Sequence, residues 1–567
     1  FQAEDGIRDA QESRGLGDVY KRQGIDYAED PALAIVEISN ENGVLHGWMS
    51  GFYDHLPSPF AEEWTAQWNQ WLKAKYGTNA ALREIWKPVQ AETGAELLKN
   101  GDFARGMESW QPEGFGQCGD YAFNAKTLKF SVRKAGAQPW IPCLRQNGLK
   151  VEVNKIYTLR FRARVENEAA LTVLLYQDHK PWKPLGLRRT IVLAADWKTY
   201  EIAFQAPMTE DAAALAFQEF KPGTYWLADV SLKEGGTLGW REGEDLDQQT
   251  IPPFLFGEEK TRPPAAARVW IAFLWQTEES YWKEMYRFLK QDLGLQALII
   301  GTINGSCSTP NLQAALDIVD AHAYWSPPSF PAGDWNPEEW EVNNESAVNS
   351  LHNTISHVAM RRVLGKPMTV TEFNHCAPNT YSSEAFLLFG LYGSLQDWDG
   401  VFAFAYSQSH RPELNRIPDI MDIDHHPTKM ITLLPLVAMF QRGDVAPAQQ
   451  AVGVPLRRET EYDILLKKSS AWAVLLGSHA GLAIEWLYRH RIGVVVEGIP
   501  FPSAADAVKP PPVSNRILVS DTDELIWDLN APKRGLVLCK APRSKAAIGY
   551  CGGKTLHLGH SISLLSL

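Results

Sequence analysis

The stretch ALAIVEISNEN, residues 32–42, decides the fold, because a continuous apolar run ends there in polar residues. Such a run predicts a strand that is buried on both faces, as in a parallel sheet. The stretch MTVTEFN, residues 368–374, repeats the pattern, and the two strands end at Glu41 and Glu372. Since the carboxyl ends of barrel strands face the active site, these glutamates are the first candidates for chemistry.

Strands and helices alternate around these two stretches. Helical spacing of aromatic residues predicts helices over residues 61–86 and 268–290. Short apolar runs predict further strands at 297–301, 318–324 and 401–406. Alternation of this kind is typical of parallel βα units, in a (β/α)8 barrel or a doubly wound sheet. We expect an α/β fold of the (β/α)8 type, with the glutamates three βα units apart.

Two segments interrupt or follow this pattern. Residues 97–234 alternate apolar and polar residues between turn signals, which predicts an inserted β-sandwich. The barrel therefore divides into residues 24–96 and 235–428. Runs such as EYDILLKK, AWAVLLG and GLVLC predict a C-terminal accessory β-domain over residues 429–567.

The first 23 residues, FQAEDGIRDAQESRGLGDVYKRQ, are polar and without helical or strand periodicity. They lack the apolar core of a signal peptide and resemble translated sequencing-adapter read-through. We exclude them from the fold. If Glu41 ends the fourth barrel strand, we expect strands 1–3 to be missing from this chain, together with any targeting signal.

Composition narrows the classes of partner. The net charge of −12 argues against a nucleic acid or an anionic membrane, because no basic field attracts them. The chain has no apolar run of membrane-spanning length. Its six cysteines form no CxxC pair, so a metal cluster or a disulfide framework is not expected. The 21 tryptophans suit either sugar-binding surfaces or large cores.

Paired carboxylates about 5–5.5 Å apart are typical of retaining glycoside hydrolysis. One stays protonated and donates to the leaving oxygen, while the other is ionised and attacks the anomeric carbon. We assign the general acid/base role to Glu41 and the nucleophile role to Glu372. This chemistry needs no cofactor.

The segments ISNEN (38–42) and TVTEFN (369–374) resemble the strand-4 and strand-7 motifs of clan A glycoside hydrolases, which include the family 5-like cellulases and β-glycosidases. DAHAYW (320–325) resembles the strand-6 motif of the clan. The resemblance implies that Asn40 binds the sugar 2-hydroxyl and that Tyr324 orients Glu372.

The resemblance also implies other substrate-binding residues. His322 and Trp325 belong to the strand-6 motif and would line the site. Tyr406 ends the segment FAY, where the clan often has a tryptophan beneath the sugar. The implied partner is a polysaccharide or oligosaccharide, and we expect a secreted or periplasmic location.

LLKNGDF (97–103) and the closing YWLADVSL (225–232) resemble the family 4/9, or CenC-like, carbohydrate-binding modules. That resemblance implies sugar stacking on three aromatic residues, Trp140, Tyr176 and Trp182. It also implies a structural Ca²⁺ with two candidate ligands, Asp102 and Asp229.

Alternatives remain open from the sequence. Glu41 and Glu372 could be solvated loop acids, and the three module aromatics could belong to the core. The chain could be a non-catalytic carbohydrate-binding or scaffold protein, or a transglycosylase that uses the same site. The sequence does not identify the sugar.

Overall fold

The computed structural model describes residues 26–567 apart from residues 125, 139, 242, 331–338, 409–410, 412, 468–470, 502–515, 554, 560–562 and 566–567. The adapter-like segment, residues 1–23, lies outside the described part. The chain divides into two compact units. The first contains Trp275–Leu567 and the described residues up to Met49, and the second is Ser50–Leu274.

The first unit is built on a parallel sheet of five strands. In chain order and in sheet order they are β1 (Ile35–Glu37), β2 (Leu298–Ile303), β3 (Ile318–Trp325), β4 (Met368–His375) and β5 (Gly400–Ala403). β2 and β3 are almost wholly buried, as expected for apolar strands between two layers. Within this sheet the strands are neighbours in their order along the chain, and all of them are parallel. The carboxyl ends of all five therefore lie at one edge.

The parallel order agrees with the predicted βα units, although the elements are shorter than predicted. The strand expected over Ala32–Ile38 spans only Ile35–Glu37. The strand expected over residues 401–406 spans Gly400–Ala403. Over the described residues the sheet is open, with β1 and β5 at its edges. A closed (β/α)8 barrel therefore stays a prediction.

Helices of this unit connect or cover the strands. Their bounds are Val44–Met49, Pro310–Gln313, Thr354–Ala359, Glu384–Leu395, Pro427–Arg442 and Arg458–Leu465. The division between the units falls inside a further helix, Pro264–Arg287. A buried apolar cluster that includes Leu289, Leu295 and Ile299 packs against Val36 and Ile38.

The second unit contains the predicted β-sandwich, made of two antiparallel sheets of five strands. The sheet that we call the Trp226 sheet has the order Lys198–Gln205, Ile156–Val165, Gly223–Glu234, Thr127–Val132, Gly119–Asn124. The sheet that we call the Tyr176 sheet has the order Gln111–Glu113, Cys143–Val151, Glu210–Gln218, Ala169–Gln177, Pro184–Leu193. Alternate residues such as Leu159, Phe161 and Phe217 fill the core between them.

Helices accompany the sandwich within this unit, at Ser58–Tyr76, Asn79–Ile85 and Phe115–Cys118. A short antiparallel pair, Val89–Ala91 with Gly236–Leu238, joins the two ends of the sandwich segment. The helical aromatics pack as a buried cluster. Trp68 meets Trp270 edge to face at 5.0 Å between ring centroids.

The C-terminal region is richer in helices than the sequence predicts. Its strands form a parallel pair, a four-stranded antiparallel sheet and a hairpin. Their bounds are Ala451–Leu456, Arg491–Val496, Ile517–Val519, Leu525–Asp528, Leu536–Cys539, Ala546–Gly549, Thr555–His557 and Ser563–Leu565. The strand predicted from EYDILLKK is wrong, because its first five residues, 461–465, lie in the helix Arg458–Leu465. AWAVLLG begins with a 3-10 turn, Ala471–Ala473, rather than a strand.

Five of the six cysteines, Cys118, Cys143, Cys307, Cys376 and Cys539, are buried free thiols. None of the helices in the described part of the chain has the length and apolar character that a bilayer crossing demands.

Candidate active site

Glu41 lies four residues beyond the end of β1, in a strained local conformation. Its φ of 48° is in the left-handed region, which is uncommon for a residue with a β-carbon. Asn42 fixes the segment, since its backbone N–H donates to Thr302 Oγ1 at 3.2 Å. Gly43 follows where an added Cβ would lie 2.6 Å from the Cys307 carbonyl oxygen. This close approach explains the glycine.

His322 on β3 connects the two glutamates. Its Nδ1 lies 2.7 Å from Glu41 Oε1 and 3.4 Å from Glu372 Oε2. Two residues further along the same face of β3, the Tyr324 hydroxyl donates to Glu372 Oε2 at 2.5 Å. The structure therefore brings together four of the predicted residues, at the carboxyl ends of three strands.

A change of register between β3 and β4 positions Glu372. Asp320 faces Thr369 and His322 faces Glu372, so three residues of β4 stand against two of β3. Such a bulge re-aims the side chains beside it. Here the adjacent Thr371 and Glu372 both reach His322, the first at Nε2 and the second at Nδ1.

Asp320 completes a chain of hydrogen bonds that sequence reasoning did not identify as a site element. It is fully buried and accepts from Thr369 Oγ1 at 2.6 Å and from the Thr371 backbone N–H at 3.1 Å. The Thr371 hydroxyl donates to Asp320 Oδ2 at 2.5 Å and lies 2.9 Å from His322 Nε2. With a proton on Nε2, the chain runs from His322 through Thr371 to Asp320.

These contacts determine the electrostatics of the imidazole. Burial alone would lower the pKa of His322, but hydrogen bonding to Asp320 and Glu41 and the charge of neighbouring carboxylates raise it to about 9. Burial and the hydrogen bond to Glu372 also raise the pKa of the Tyr324 phenol. At neutral pH the tyrosine is therefore a neutral donor and the histidine is an imidazolium.

Glu37 is a fourth carboxylate near this group, beside Glu41, Glu372 and Asp320, and sequence reasoning did not single it out. Burial around its carboxyl, and next the charge of Asp320, raise the pKa of Glu37 to about 7, although the residue as a whole is exposed. Glu37 and Glu41 are four residues apart at the end of the same apolar run. The only sequence signal was a charged residue inside a run that otherwise predicts a buried strand.

Arg361 supports β3 from behind and was also missed. It is buried, and its Nη1 donates to the His322 carbonyl oxygen, while its own carbonyl accepts from Asn304 Nδ2. Burial lowers the pKa of Arg361 to about 10, which leaves it charged at neutral pH. A buried cation behind the strand partly offsets the carboxylates of the site.

The other predicted substrate-binding residues are exposed or half-buried. Asn40 is exposed beside Glu41, and Tyr406 is 63% exposed. Trp325 is half-buried, and its Nε1 donates to the Glu345 carbonyl oxygen at 2.8 Å. Phe404 meets Tyr324 edge to face at 6.4 Å. The aromatic side chain beside the Tyr324–Glu372 pair is therefore Phe404, and not the tryptophan that the resemblance to the clan would place there.

The same side chains could also hold a metal ion. One donor atom from each of Glu41, His322 and Glu372 lies within 4.8 Å of the others, and no second group of this kind occurs in the described part of the chain. Two carboxylates and an imidazole are donors that zinc accepts. Carboxylates near both ring nitrogens favour the protonated form of His322, so a metal ion there would have to compete with a proton.

In the β-sandwich, Tyr176 lies on the outer face of the Tyr176 sheet, since its neighbour Leu175 is in the core. Its hydroxyl accepts from Arg145 Nη1 at 3.3 Å, next to Asp178. Trp140 and Trp182 are 46% and 50% exposed, so neither belongs to the core. They lie in loops before Cys143–Val151 and Pro184–Leu193, respectively.

The two candidate calcium ligands each have a basic partner. Asp102 is 3.1 Å from Lys126 Nζ, and Asp229 is 3.1 Å from Arg162 Nη1. Calcium binding at these acids stays a prediction, and an ion there would have to compete with the two cations.

Comparison with known proteins identifies one part of the chain. Residues 95–222 match the family 4/9 model of a carbohydrate binding domain. The chain carries a carbohydrate-binding domain. One solved structure similar to it is titled "CBM4 structure and function", with 20% identity, a TM-score of 0.21, and coverage of 25% of this chain and 94% of that one.

Another similar structure is the second N-terminal cellulose-binding domain of β-1,4-glucanase C from Cellulomonas fimi. It has 22% identity, a TM-score of 0.23, and coverage of 26% of this chain and 98% of that one. No curated protein matches the chain.

Proposed function

We propose that this chain carries the catalytic site of a retaining glycoside hydrolase, with Glu372 as nucleophile and Glu41 as general acid/base. The observation that carries the proposal is the convergence of both carboxylates on His322 Nδ1, at 2.7 and 3.4 Å. One oxygen of Glu41 lies within 4.8 Å of one oxygen of Glu372, which supports the close pair of retaining rather than inverting enzymes.

The neighbours of the two glutamates indicate which oxygen of each is free to react. Tyr324 donates to Glu372 Oε2, so that oxygen is held and Oε1 is left to attack the anomeric carbon. The phenol also stabilises the carboxylate when it leaves the sugar in the second step. His322 Nδ1 lies 2.7 Å from Glu41 Oε1, which leaves Oε2 as the oxygen that would exchange a proton with the glycosidic oxygen.

The reaction then follows in two steps. Glu372 attacks the anomeric carbon while Glu41 transfers its proton to the glycosidic oxygen, and the leaving sugar departs. Glu41, now ionised, takes a proton from water, whose oxygen attacks the same carbon and releases Glu372. Both displacements invert the anomeric centre, so the product retains the configuration of the substrate.

The proposed substrate is a polysaccharide or an oligosaccharide. The carbohydrate-binding domain at residues 95–222 supports this class, since such a domain holds the polymer near a catalytic site. We also propose that the five parallel strands belong to a (β/α)8 barrel. The sequential order of β1 to β5 and the position of the glutamates at their carboxyl ends support that architecture.

The decisive experiment measures hydrolysis of aryl β-glycosides and β-glucans by the wild type and by Glu372→Gln and Glu41→Gln variants. Each variant is expected to lose roughly 10²–10⁴-fold in kcat. Glu341→Gln, an exposed acid in the first unit, is the matched control and is expected to retain activity. NMR of the first-formed product is expected to show the retained anomer. Near-full activity of Glu372→Gln, or an inverted product, contradicts the proposal.

One observation favours a second candidate, a non-catalytic carbohydrate-binding protein. The matched domain accounts for sugar binding without any chemistry. Glycan binding by the wild type that survives Glu41→Ala, without hydrolysis of any tested glycoside, would favour this candidate.

A further inference from the structure

The outer face of the Trp226 sheet carries an unusual concentration of cations. Its strand Ile156–Val165 has the sequence IYTLRFRARV, with Arg160, Arg162 and Arg164 at alternate positions. The intervening Phe161 and Ala163 point into the core, so all three guanidinium groups lie on the outer face. This face belongs to the sheet that does not contain Tyr176.

Aromatic rings alternate with cations across the strands. Arg164 stands opposite Trp226, and Trp226 stands opposite Lys129 on the next strand. Arg164 Cζ lies 3.7 Å from the centroid of the Trp226 ring, and Lys129 Nζ lies 5.5 Å from the same ring. Trp197 is 5.9 Å from Arg164 on the other side. We call Lys129, Trp226, Arg164 and Trp197 the basic row.

The charges of this face are only partly balanced. Arg160 lies 3.7 Å from Glu201, and Arg162 lies 3.1 Å from Asp229. By contrast, no carboxylate among the described residues pairs with Arg164 or Lys129. The Nε of Arg164 is buried without a hydrogen-bond partner within the described chain. The charges of Arg164 and Lys129 are therefore not neutralised by a carboxylate of the described chain.

We propose that the basic row binds an acidic polysaccharide whose sugar units carry carboxylate groups. Guanidinium groups recognise carboxylates through paired N–H donors, and Trp197, which is 39% exposed, lies beside two of them, with Arg162 and Arg164 at 5.1 and 5.9 Å from its ring centroid. Arg164 and Lys129 stand two strands apart, about 10 Å, so a chain laid across the strands would meet both cations.

The negative charge of the rest of the molecule limits the attraction of an acidic glycan to short distances from the basic row. The net charge of −12 repels a polyanion at long range, so binding depends on short ion pairs between the basic row and the carboxylates of the glycan. High salt is expected to weaken these ion pairs. The location on a carbohydrate-binding domain favours an acidic glycan over a nucleic acid. The site is separate from the Tyr176 face, and it does not depend on the glycosidase proposal.

Affinity electrophoresis and calorimetry of the full chain with polygalacturonate test the proposal. The wild type is expected to bind at low salt and to be released at 0.5 M NaCl, where the screening length is roughly 4–5 Å. Lys129→Gln is expected to weaken binding severalfold, and Arg164→Gln with Lys129→Gln about tenfold or more. Arg164→Lys keeps the charge but not the paired donors, and its affinity for polygalacturonate is expected to lie between that of the double variant and that of the wild type.

The matched control is Arg105→Gln with Lys150→Gln, which removes the same charge from exposed residues elsewhere on the domain. This control is expected to bind polygalacturonate as the wild type does. Unchanged binding of a neutral β-glucan by the double row variant shows that the domain is folded. Absence of polygalacturonate binding by the wild type, equal loss in the control, or stronger binding of a single-stranded DNA than of polygalacturonate would each overturn the proposal.

Discussion

Replacement of His322 by glutamine tests whether the imidazole of the candidate site carries a proton at neutral pH. Its folded pKa of about 9, against 6.5 for an unperturbed histidine, corresponds to about 3 kcal/mol of stabilisation of the folded state. Because the folded pKa is raised, this stabilisation is fully present below pH 6.5. It is lost as the pH rises through about 9. The side chain is only 4% exposed, so solvent screens the interaction little.

Two measurements check this value. In a protein labelled with ¹³C at histidine Cε1, the resonance that disappears in His322→Gln belongs to His322, and its titration midpoint is expected near 9. The exposed residue His352, replaced in the same way, provides the control resonance. The difference in unfolding free energy between wild type and His322→Gln is expected to be about 3 kcal/mol larger at pH 6 than at pH 10. A midpoint at or below 6.5, or an equal difference at both pH values, would refute the reasoning.

Further substitutions test separate contacts. Tyr324→Phe removes the phenol donor to Glu372 and is expected to lower kcat roughly 10–100-fold with little change in KM, measured by steady-state kinetics. Gly43→Ala brings a methyl group to 2.6 Å from the Cys307 carbonyl and is expected to lower the melting temperature and the activity together, whereas Gly116→Ala is the control, because nothing lies within 4 Å of the added Cβ there. Glu461→Gln leaves some of the donors from Trp275, Thr309 and Asn311 without an acceptor, and chemical denaturation is expected to show a loss of about 1–3 kcal/mol. Tyr176→Ala is expected to weaken binding of neutral β-glucans in affinity electrophoresis, while binding of polygalacturonate is unchanged.

The sequence predicted the residues of the site that follow the ends of strands and those that alternate along one face of a strand. Glu41 and Glu372 each follow an apolar run, and His322 and Tyr324 are two residues apart on one strand face. Asp320 continues the same period and could have been found by extending it. The bulge that turns Thr371 and Glu372 toward one imidazole could not, because a shift of register depends on both strands at once.

The C-terminal region shows where local patterns fail. EYDILLKK begins with alternating polar and apolar residues, which favours a strand, yet residues 461–465 lie in a helix that buries Glu461, Tyr462 and Leu465. Glu461 accepts hydrogen bonds from Trp275 Nε1 and from the backbone N–H of Asn311, residues far away along the chain. Such tertiary contacts override a strand propensity that is worth only about 1 kcal/mol. No local pattern contains them.

The buried cysteines allow local opening of the chain to be measured by thiol alkylation. Burial raises the pKa of Cys143 and of Cys376 to about 12, so neither thiol reacts while its surroundings stay closed. Cys143 belongs to the β-sandwich and Cys376 follows β4, so the two thiols lie in different compact units. The alkylation rate of each thiol therefore follows the population of locally open molecules around it. One unmodified protein can then give two independent local stabilities in a single labelling experiment.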